Sequence, residues 1–260
     1  MPAPKNTFKA ALKEGTTQIG CWVGLADPYA VEITARAGFD WLLIDGEHCP
    51  NDLRSITAQL QVVDGLGPHA IVRPPAGEAW MIKQFLDAGA QTLLVPMVES
   101  ADQARALVAA VTYPPRGIRG VGSALARASH FAGIPDYLAT ADDEICLIVQ
   151  IENRAGLSAL DEILLVEGID AVFVGASDLA ADLGHIGQST HPEVQAAADG
   201  ALRKIVEAGL PAGYLTGDMA VAEHVLALGA TFVATALDVT AFAATMRRLA
   251  QQGQALKQRR

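Results

Sequence analysis

The stretch "WLLIDGEH", Trp41 to His48, runs an apolar segment straight into Asp45, Glu47 and His48. Two carboxylates and an imidazole that close together could hold a cation or move a proton, and an imidazole titrates near neutrality. Other apolar runs end in the same way. "HAIV" leads into Arg73, "LIVQIE" presents Gln150 and Glu152, and "AVFVGASD" ends in Ser177 and Asp178. The pair Glu152 and Asp178 suits a hard divalent cation, with water and substrate oxygens completing its shell. A fixed guanidinium at Arg73 suits negative charge that develops beside such a cation. His48 is the side chain best fitted to act as general base, with Asp45 and Glu47 as its neighbours. Each residue also has a plainer use. Asp178 in "ASDLA" could cap a helix, Arg73 could neutralise nearby carboxylates, and His48 could be a hydrogen-bonded structural residue. Cys49 lacks acyl-transfer surroundings. No apolar run ends in lysine, and Lys83 lies inside a helical pattern, which disfavours imine chemistry. His69, His185, His191 and His224 stand without such company and read as structural or solvent-facing.

For these residues to meet, the runs that carry them must lie side by side. Eight short apolar runs recur along the chain, each followed by a segment of helical periodicity. Their continuous hydrophobicity suits parallel strands buried on both faces. Several units close with Ala-Gly or Leu-Gly before the next strand, as in "FLDAGAQTLLV" and "VLALGATFVAT", where glycine suits a left-handed helix cap. The expected fold is a (β/α)8 TIM barrel, a single domain over residues 1–260 that closes with a C-terminal helix. Active sites of such barrels lie at the C-terminal ends of the strands, where the polar residues fall. A doubly wound open sheet is the alternative, weakened because no Gly-rich dinucleotide fingerprint follows the first strand. Tyr113 to Glu144 is longer than a normal connection and is expected to fold over the barrel mouth.

Bulk properties narrow the partners. Over 260 residues, 51% are apolar and 18% charged, as in a folded globular protein. A formal net charge of −10 argues against nucleic acid or an anionic membrane as partner. No apolar run approaches the roughly 20 residues of a membrane span, and the N-terminus lacks the apolar core of a signal peptide. Three cysteines without metal-ligand spacing suit a reducing cytoplasm. The basic end "KQRR" reads as a solvated helix terminus.

Taken together, "DWLLIDGEH", "VRPP", "TLLVPMVESADQA", "GVGSALARAS", "VQIEN" and "DAVFVGASDLA" resemble the class II pyruvate aldolases typified by 4-hydroxy-2-oxoheptanedioate aldolase. The likeness spans nearly the whole chain. It implies a homo-oligomeric barrel, usually a hexamer, that uses Mg²⁺, Mn²⁺ or Co²⁺ to cleave 4-hydroxy-2-oxo acids reversibly to pyruvate and an aldehyde. By this resemblance Glu152 and Asp178 are the metal ligands and Arg73 stabilises the pyruvate enolate. His48 is the acid/base, partnered by Asp87. Gln150 is a substrate contact, and backbone N–H groups near Ser177 and Asp178 hold the pyruvate carboxylate. Asp45 and Glu47 support these groups from behind. Leu215 and Thr216 face the aldehyde. The chain departs from the pattern at Ala176-Ser177, where Pro-Ala is usual, and at Cys49, where alanine is usual. Both departures bear on aldehyde preference and leave the pyruvate half intact. Helix geometry puts Asp87 at the end of the barrel away from His48, so a dyad of the two would need Asp87 from a neighbouring subunit. Alternatives are a citrate-lyase-like acyl-CoA lyase and a phosphoenolpyruvate-handling barrel, the latter needing further cations such as Arg119 and Arg127.

Overall fold

The computed structural model describes residues 1–257. The strands are β1 (Gln18–Val23), β2 (Trp41–Asp45), β3 (His69–Arg73), β4 (Thr92–Val95), β5 (Cys146–Ile151), β6 (Ala171–Val174), β7 (Ala212–Leu215) and β8 (Phe232–Leu237). They pair in parallel, in sequence order, and β8 closes on β1 as a barrel. The helices are α1 (Thr7–Lys13), α2 (Pro28–Ala35), α3 (Leu53–Val63), α4 (Ala79–Ala88), α5 (Ala101–Val111), α6 (Tyr137–Thr140), α7 (Arg154–Ile163), α8 (Ala176–Asp182), α9 (Pro192–Glu207), α10 (Met219–Ala227) and α11 (Asp238–Lys257). Among the described residues no helix is long and apolar enough to cross a membrane. Residues 258–260 of the basic end lie outside the described residues.

Local chemistry sets the element boundaries. Side chains of Asp27, Asp52, Ser100, Asn153 and Asp218 accept backbone N–H groups at the starts of α2, α3, α5, α7 and α10. The glycine-before-strand pattern becomes left-handed backbone at Gly89, φ 110°, and at Gly229, φ 102°. A Cβ there would be strained.

Side-chain alternation then divides the strands between two cores. Leu42, Ile44, Val72, Leu93, Val149 and Val172 face outward beneath the helices. Trp22, Trp41, Leu43, Ile71, Leu94, Ile148, Phe173 and Phe232 fill the barrel lumen. The same inward rows, continued at period two, carry Asp45, Arg73, Gln150 and Leu215 to the C-terminal mouth. At the other end α1 plugs the lumen. Phe8 stacks on His69 with centroids 5.6 Å apart and meets Trp41 and Phe232 edge-on. Burial there holds the His69 imidazole down to about 4, so this histidine is neutral structure.

The long connection does not lie over the mouth, contrary to expectation. It sits at the opposite end of the barrel, against the N-terminus and the last turns of α3 and α4. Asp136 donates its backbone N–H to the Met1 carbonyl, and Glu144 accepts the Asn6 N–H at 2.8 Å. Arg127 donates to the Ala88 carbonyl and to Asp64. The reason is directional. α5 runs antiparallel to β4, so its end and the start of β5 both lie at the strands' N-terminal end, and so does whatever connects them.

Gly20 gives a packing test. A Cβ on this inward position of β1 would fall inside the fused ring of Trp41, whose indole N–H donates to the Gln18 carbonyl. Gly20→Ala should therefore cost about 1–3 kcal/mol by overpacking. A denaturation midpoint that falls at unchanged m-value is the expected outcome. An unchanged midpoint would mean that Trp41 has room to move.

Candidate active site

The mouth is organised by one ion pair. Asp45 and Arg73 occupy partnered positions at the ends of β2 and β3. Arg73 donates Nε–H to Asp45 Oδ1 at 2.9 Å and Nη2–H to Oδ2 at 2.7 Å. Both are buried, at 5% and 2% exposure. Trp22 at the end of β1 donates its indole N–H to Asp45 at 3.3 Å and lies under the guanidinium, 4.9 Å from ring centroid to Cζ. Burial alone would raise the Asp45 carboxyl, but the Arg73 bonds and the Glu47 N–H outweigh it and hold it below the usual range. Asp45 also bends the chain after β2 by accepting the Glu47 N–H at 2.9 Å.

Carboxylates crowd the other side of Arg73. Glu47 Oε2 lies 2.8 Å from Nη1, yet is misaligned for a hydrogen bond and is buried without one. Glu152 accepts the Met97 N–H at 2.8 Å and a bond from Gln150 Nε2. Met97 holds left-handed backbone, φ 56°, at this point. Burial pushes the Glu152 carboxyl up to about 7, and the charges of Asp178 and Glu47 add to it. Glu47 is raised in the same way, by burial first and against the pull of Arg73. Asp178 is exposed in the first turn of α8. Gly175 leaves the space between: a Cβ there would lie 2.7 Å from both Gln150 Nε2 and Glu152 Oε2.

These features test whether a cation fits. Glu152, Asp178 and Glu47 offer oxygen donors only, as hard divalent cations take. Two buried oxygens, Glu47 Oε2 and Gln150 Oε1, have no hydrogen-bond donor among the described residues. A buried carboxyl held near neutrality by its neighbours wants a proton or a metal. The residues present fit a divalent cation.

A cavity of about 330 Å³ opens above this set, lined by Trp22, Asp45, His48, Arg73, Gln150, Phe173, Ser177, Asp178, Leu215 and Asp238. That is room for a small organic acid. His48 stands at its rim with 62% of the side chain exposed and Nε2 3.8 Å from Glu47. Burial beside Asp45 pushes the Cys49 thiol up to about 12, which makes it a poor nucleophile. Asp87 does not line the cavity. It ends α4 at the opposite end of the barrel, 3.5 Å from Arg119 of the long connection.

Sequence reasoning missed Trp22, Phe173 and Asp238. Trp22 and Phe173 read as ordinary strand residues. Asp238 accepts the Gly24 N–H at 2.8 Å and the Leu25 N–H at 3.2 Å, tying α11 to the end of β1. Its signal was available: "TFVATALD" ends an apolar run in a carboxylate, as the other site strands do.

Residues 18–245 match the family model described as HpcH/HpaI aldolase/citrate lyase. A hydroxypyruvate/pyruvate aldolase from Roseovarius nubinhibens is 60% identical over 247 residues, covering 95% of this chain and 96% of the relative. A 4-hydroxy-2-oxo-heptane-1,7-dioate aldolase from Salmonella dublin is 54% identical over 239 residues, with 92% and 91% covered. Among solved structures, an HpcH/HpaI aldolase/citrate lyase family protein from Burkholderia cenocepacia superposes with a TM-score of 0.92 at 36% identity, covering 96% of this chain and all of that one.

The raised Glu152 carboxyl fixes a pH dependence. A carboxyl above its unfolded value is held protonated by the fold, so its contribution to stability is present at low pH and is lost as pH rises from about 4.5 to about 7. Metal-free protein should lose thermal stability across that window, and Glu152→Gln should flatten the slope. Cation affinity should run the opposite way, rising through about 7 with release of a proton. Calorimetry in buffers of different ionisation enthalpy checks this. Binding that is independent of pH and releases no proton would count against Glu152 as a ligand.

Proposed function

The chain belongs to the HpcH/HpaI aldolase/citrate lyase family, and on that footing we propose that it reversibly cleaves 4-hydroxy-2-oxo acids to pyruvate and an aldehyde. One observation carries the reading: a buried guanidinium, fixed by Asp45 and backed by Trp22, beside carboxylates that fit a divalent cation. Relatives that share more than half their residues with this chain are named aldolases, so the acyl-CoA lyase and phosphoenolpyruvate alternatives are not favoured.

Glu152 and Asp178 would hold the cation, Mg²⁺, Mn²⁺ or Co²⁺, which when bound supplies a Lewis acid next to the 2-oxo group. Asp45 occupies the Nε/Nη2 edge of Arg73. That leaves N–H groups of Nη1 and Nη2 for the substrate's 2-oxo oxygen, where charge accumulates as the C3–C4 bond breaks. His48 takes the proton of the 4-hydroxyl from the open side of the cavity, and the carbonyl of the aldehyde forms as the bond electrons move to C3. Protonation of C3 then gives pyruvate. Gln150 and the backbone N–H groups of Ser177 and Asp178 hold the pyruvate end. Leu215, inward-facing at the end of β7, bounds the aldehyde end. Glu47 and Asp45 keep Arg73 charged and in place.

Asp87 would act through His48 of a neighbouring subunit in a homo-oligomer, a hexamer by the family resemblance. Helix α11 supports association. None of its residues is buried, and Val239, Phe242, Met246, Leu249 and Leu256 expose an apolar stripe at heptad spacing. Three free thiols fit a reducing cytoplasm.

The test is exchange of pyruvate methyl protons in D₂O with Mg²⁺ or Mn²⁺, followed by NMR. Wild type should exchange in a cation-dependent way. Arg73→Lys, which loses the planar fork, should slow both exchange and aldol cleavage by about 10²-fold or more. Normal exchange with cleavage lost would move Arg73 to the aldehyde side.

Subunit mixing checks the shared dyad. His48→Ala and Asp87→Asn proteins, each poorly active, should regain activity above the mean of the parents when their subunits exchange. Mixed oligomers without any gain would remove Asp87 from the neighbouring site.

A further inference from the structure

The segment between α8 and α9, "LGHIGQSTH", is unlike the other connections of the barrel in the side chains it gathers. Hydrogen-bonded turns fold it back on itself. His185 donates its N–H to the Ala180 carbonyl at 2.7 Å, Gln188 to His185 at 2.9 Å and His191 to Gln188 at 2.8 Å. Gln195 Nε2 ties the loop down through the Ser189 carbonyl at 2.7 Å. The result stacks the imidazoles of His185 and His191 at 3.6 Å between centroids and 16° between planes. Glu193, in the first turn of α9, reaches His185 Nε2 with Oε2 at 2.8 Å. A ring nitrogen of each histidine and a carboxylate oxygen of Glu193 all lie within 4.8 Å of one another.

We propose that His185, His191 and Glu193 form a second cation site, distinct from the rim carboxylates, for a borderline divalent metal of the Zn²⁺ or Ni²⁺ class. Donor chemistry separates the two sites. The rim offers carboxylates and amide oxygens, which favour Mg²⁺ and Mn²⁺, whereas two imidazoles and one carboxylate favour Zn²⁺, Ni²⁺ or Cu²⁺. The geometry is close to what such an ion needs. Ligands at roughly 2.0–2.2 Å from a zinc ion stand about 3.3–3.6 Å apart in a tetrahedron, so His185 and Glu193, now 2.8 Å apart, would part by about half an ångström to admit it. The ion would replace the proton these two share. Solvent would complete its shell, because Glu193 is exposed and both histidines are half-buried. His191 has a competing duty, since its Nδ1 accepts the Glu193 N–H at 3.3 Å as the cap of α9. That bond is long, and Nε2 makes no hydrogen bond among the described residues. A metal here would clamp the loop that follows Asp178 onto α9 and so brace α8 against the barrel.

Glu152→Gln/Asp178→Asn protein removes the two proposed rim ligands and leaves only Glu47 of the rim carboxylates offered to a cation, so binding that then depends on His185 and Glu193 reports the proposed site. Titrated with Zn²⁺ in a calorimeter, it should bind one equivalent per chain and gain thermal stability on binding. Adding His185→Ala, which spares the helix cap, should weaken binding by about tenfold or more. Glu193→Gln should weaken it as well, and His191→Asn does so while keeping a capping side chain. With Mg²⁺ at the rim of an otherwise wild-type chain, His185→Ala should leave the basal reaction unchanged. Absence of Zn²⁺ binding by the rim variant would overturn the proposal, and so would binding that His185→Ala and Glu193→Gln both leave intact. Neither result depends on the aldolase reading, because no arm of the binding experiment measures turnover.

Discussion

The bidentate pair between Asp45 and Arg73 holds the mouth of this barrel together. A guanidinium left alone in that setting would face a large desolvation cost, and so would the carboxylate. Placed at partnered positions on adjacent strands, each satisfies the other through two parallel bonds. Trp22 then closes over both, with its ring on the cation and its N–H on the anion. The pair also sets the path of the chain, since Asp45 accepts the Glu47 N–H and Gly46 donates to the Arg73 carbonyl. Those bonds carry Glu47 and His48 to the rim.

Around this neutralised pair the mouth carries more negative charge than it can balance. Glu47, Glu152, Asp178 and Asp238 surround one guanidinium and one exposed imidazole. Burial pushes Glu152 up to about 7, so the fold holds this carboxyl away from its preferred state in water. A cation bound there would relieve that tension, a case of stability given up at a site in exchange for binding capacity. The small residue at Gly175 keeps the space open, and Met97, in left-handed backbone, delivers the N–H that orients the carboxylate.

The two ends of the barrel have different tasks. The C-terminal end gathers charge around a cavity, while the N-terminal end is closed by α1 and sealed by the long connection. The fully buried Arg119 of that connection stacks on Tyr113 and meets Asp87. Chemistry in which Asp87 serves His48 therefore requires one molecule's lower end to meet another's mouth. The exposed stripe of α11 is one surface available for such association.

The sequence by itself determined the barrel and which residues meet at the inner part of its candidate site. Strand rows, helix caps and glycine turns are local, with periods of two and 3.6 residues, and they are written within a few neighbouring positions. Asp45, Arg73, Gln150 and Glu152 were legible because each continues an inward row past the end of its apolar run. Other features depended on closure in three dimensions. Asp238 joins the site only because β8 pairs with β1, across more than two hundred residues of chain, and Trp22 joins it because β1 pairs with β2 and brings its indole to Asp45. The long connection was assigned to the wrong end because length alone carries no direction; the antiparallel course of α5 supplies it. The stacking of His185 on His191, and the lifting of Glu152 toward neutrality, belong to the tertiary structure alone. Both arise from distances and burial, which the order of residues does not encode until the chain has folded.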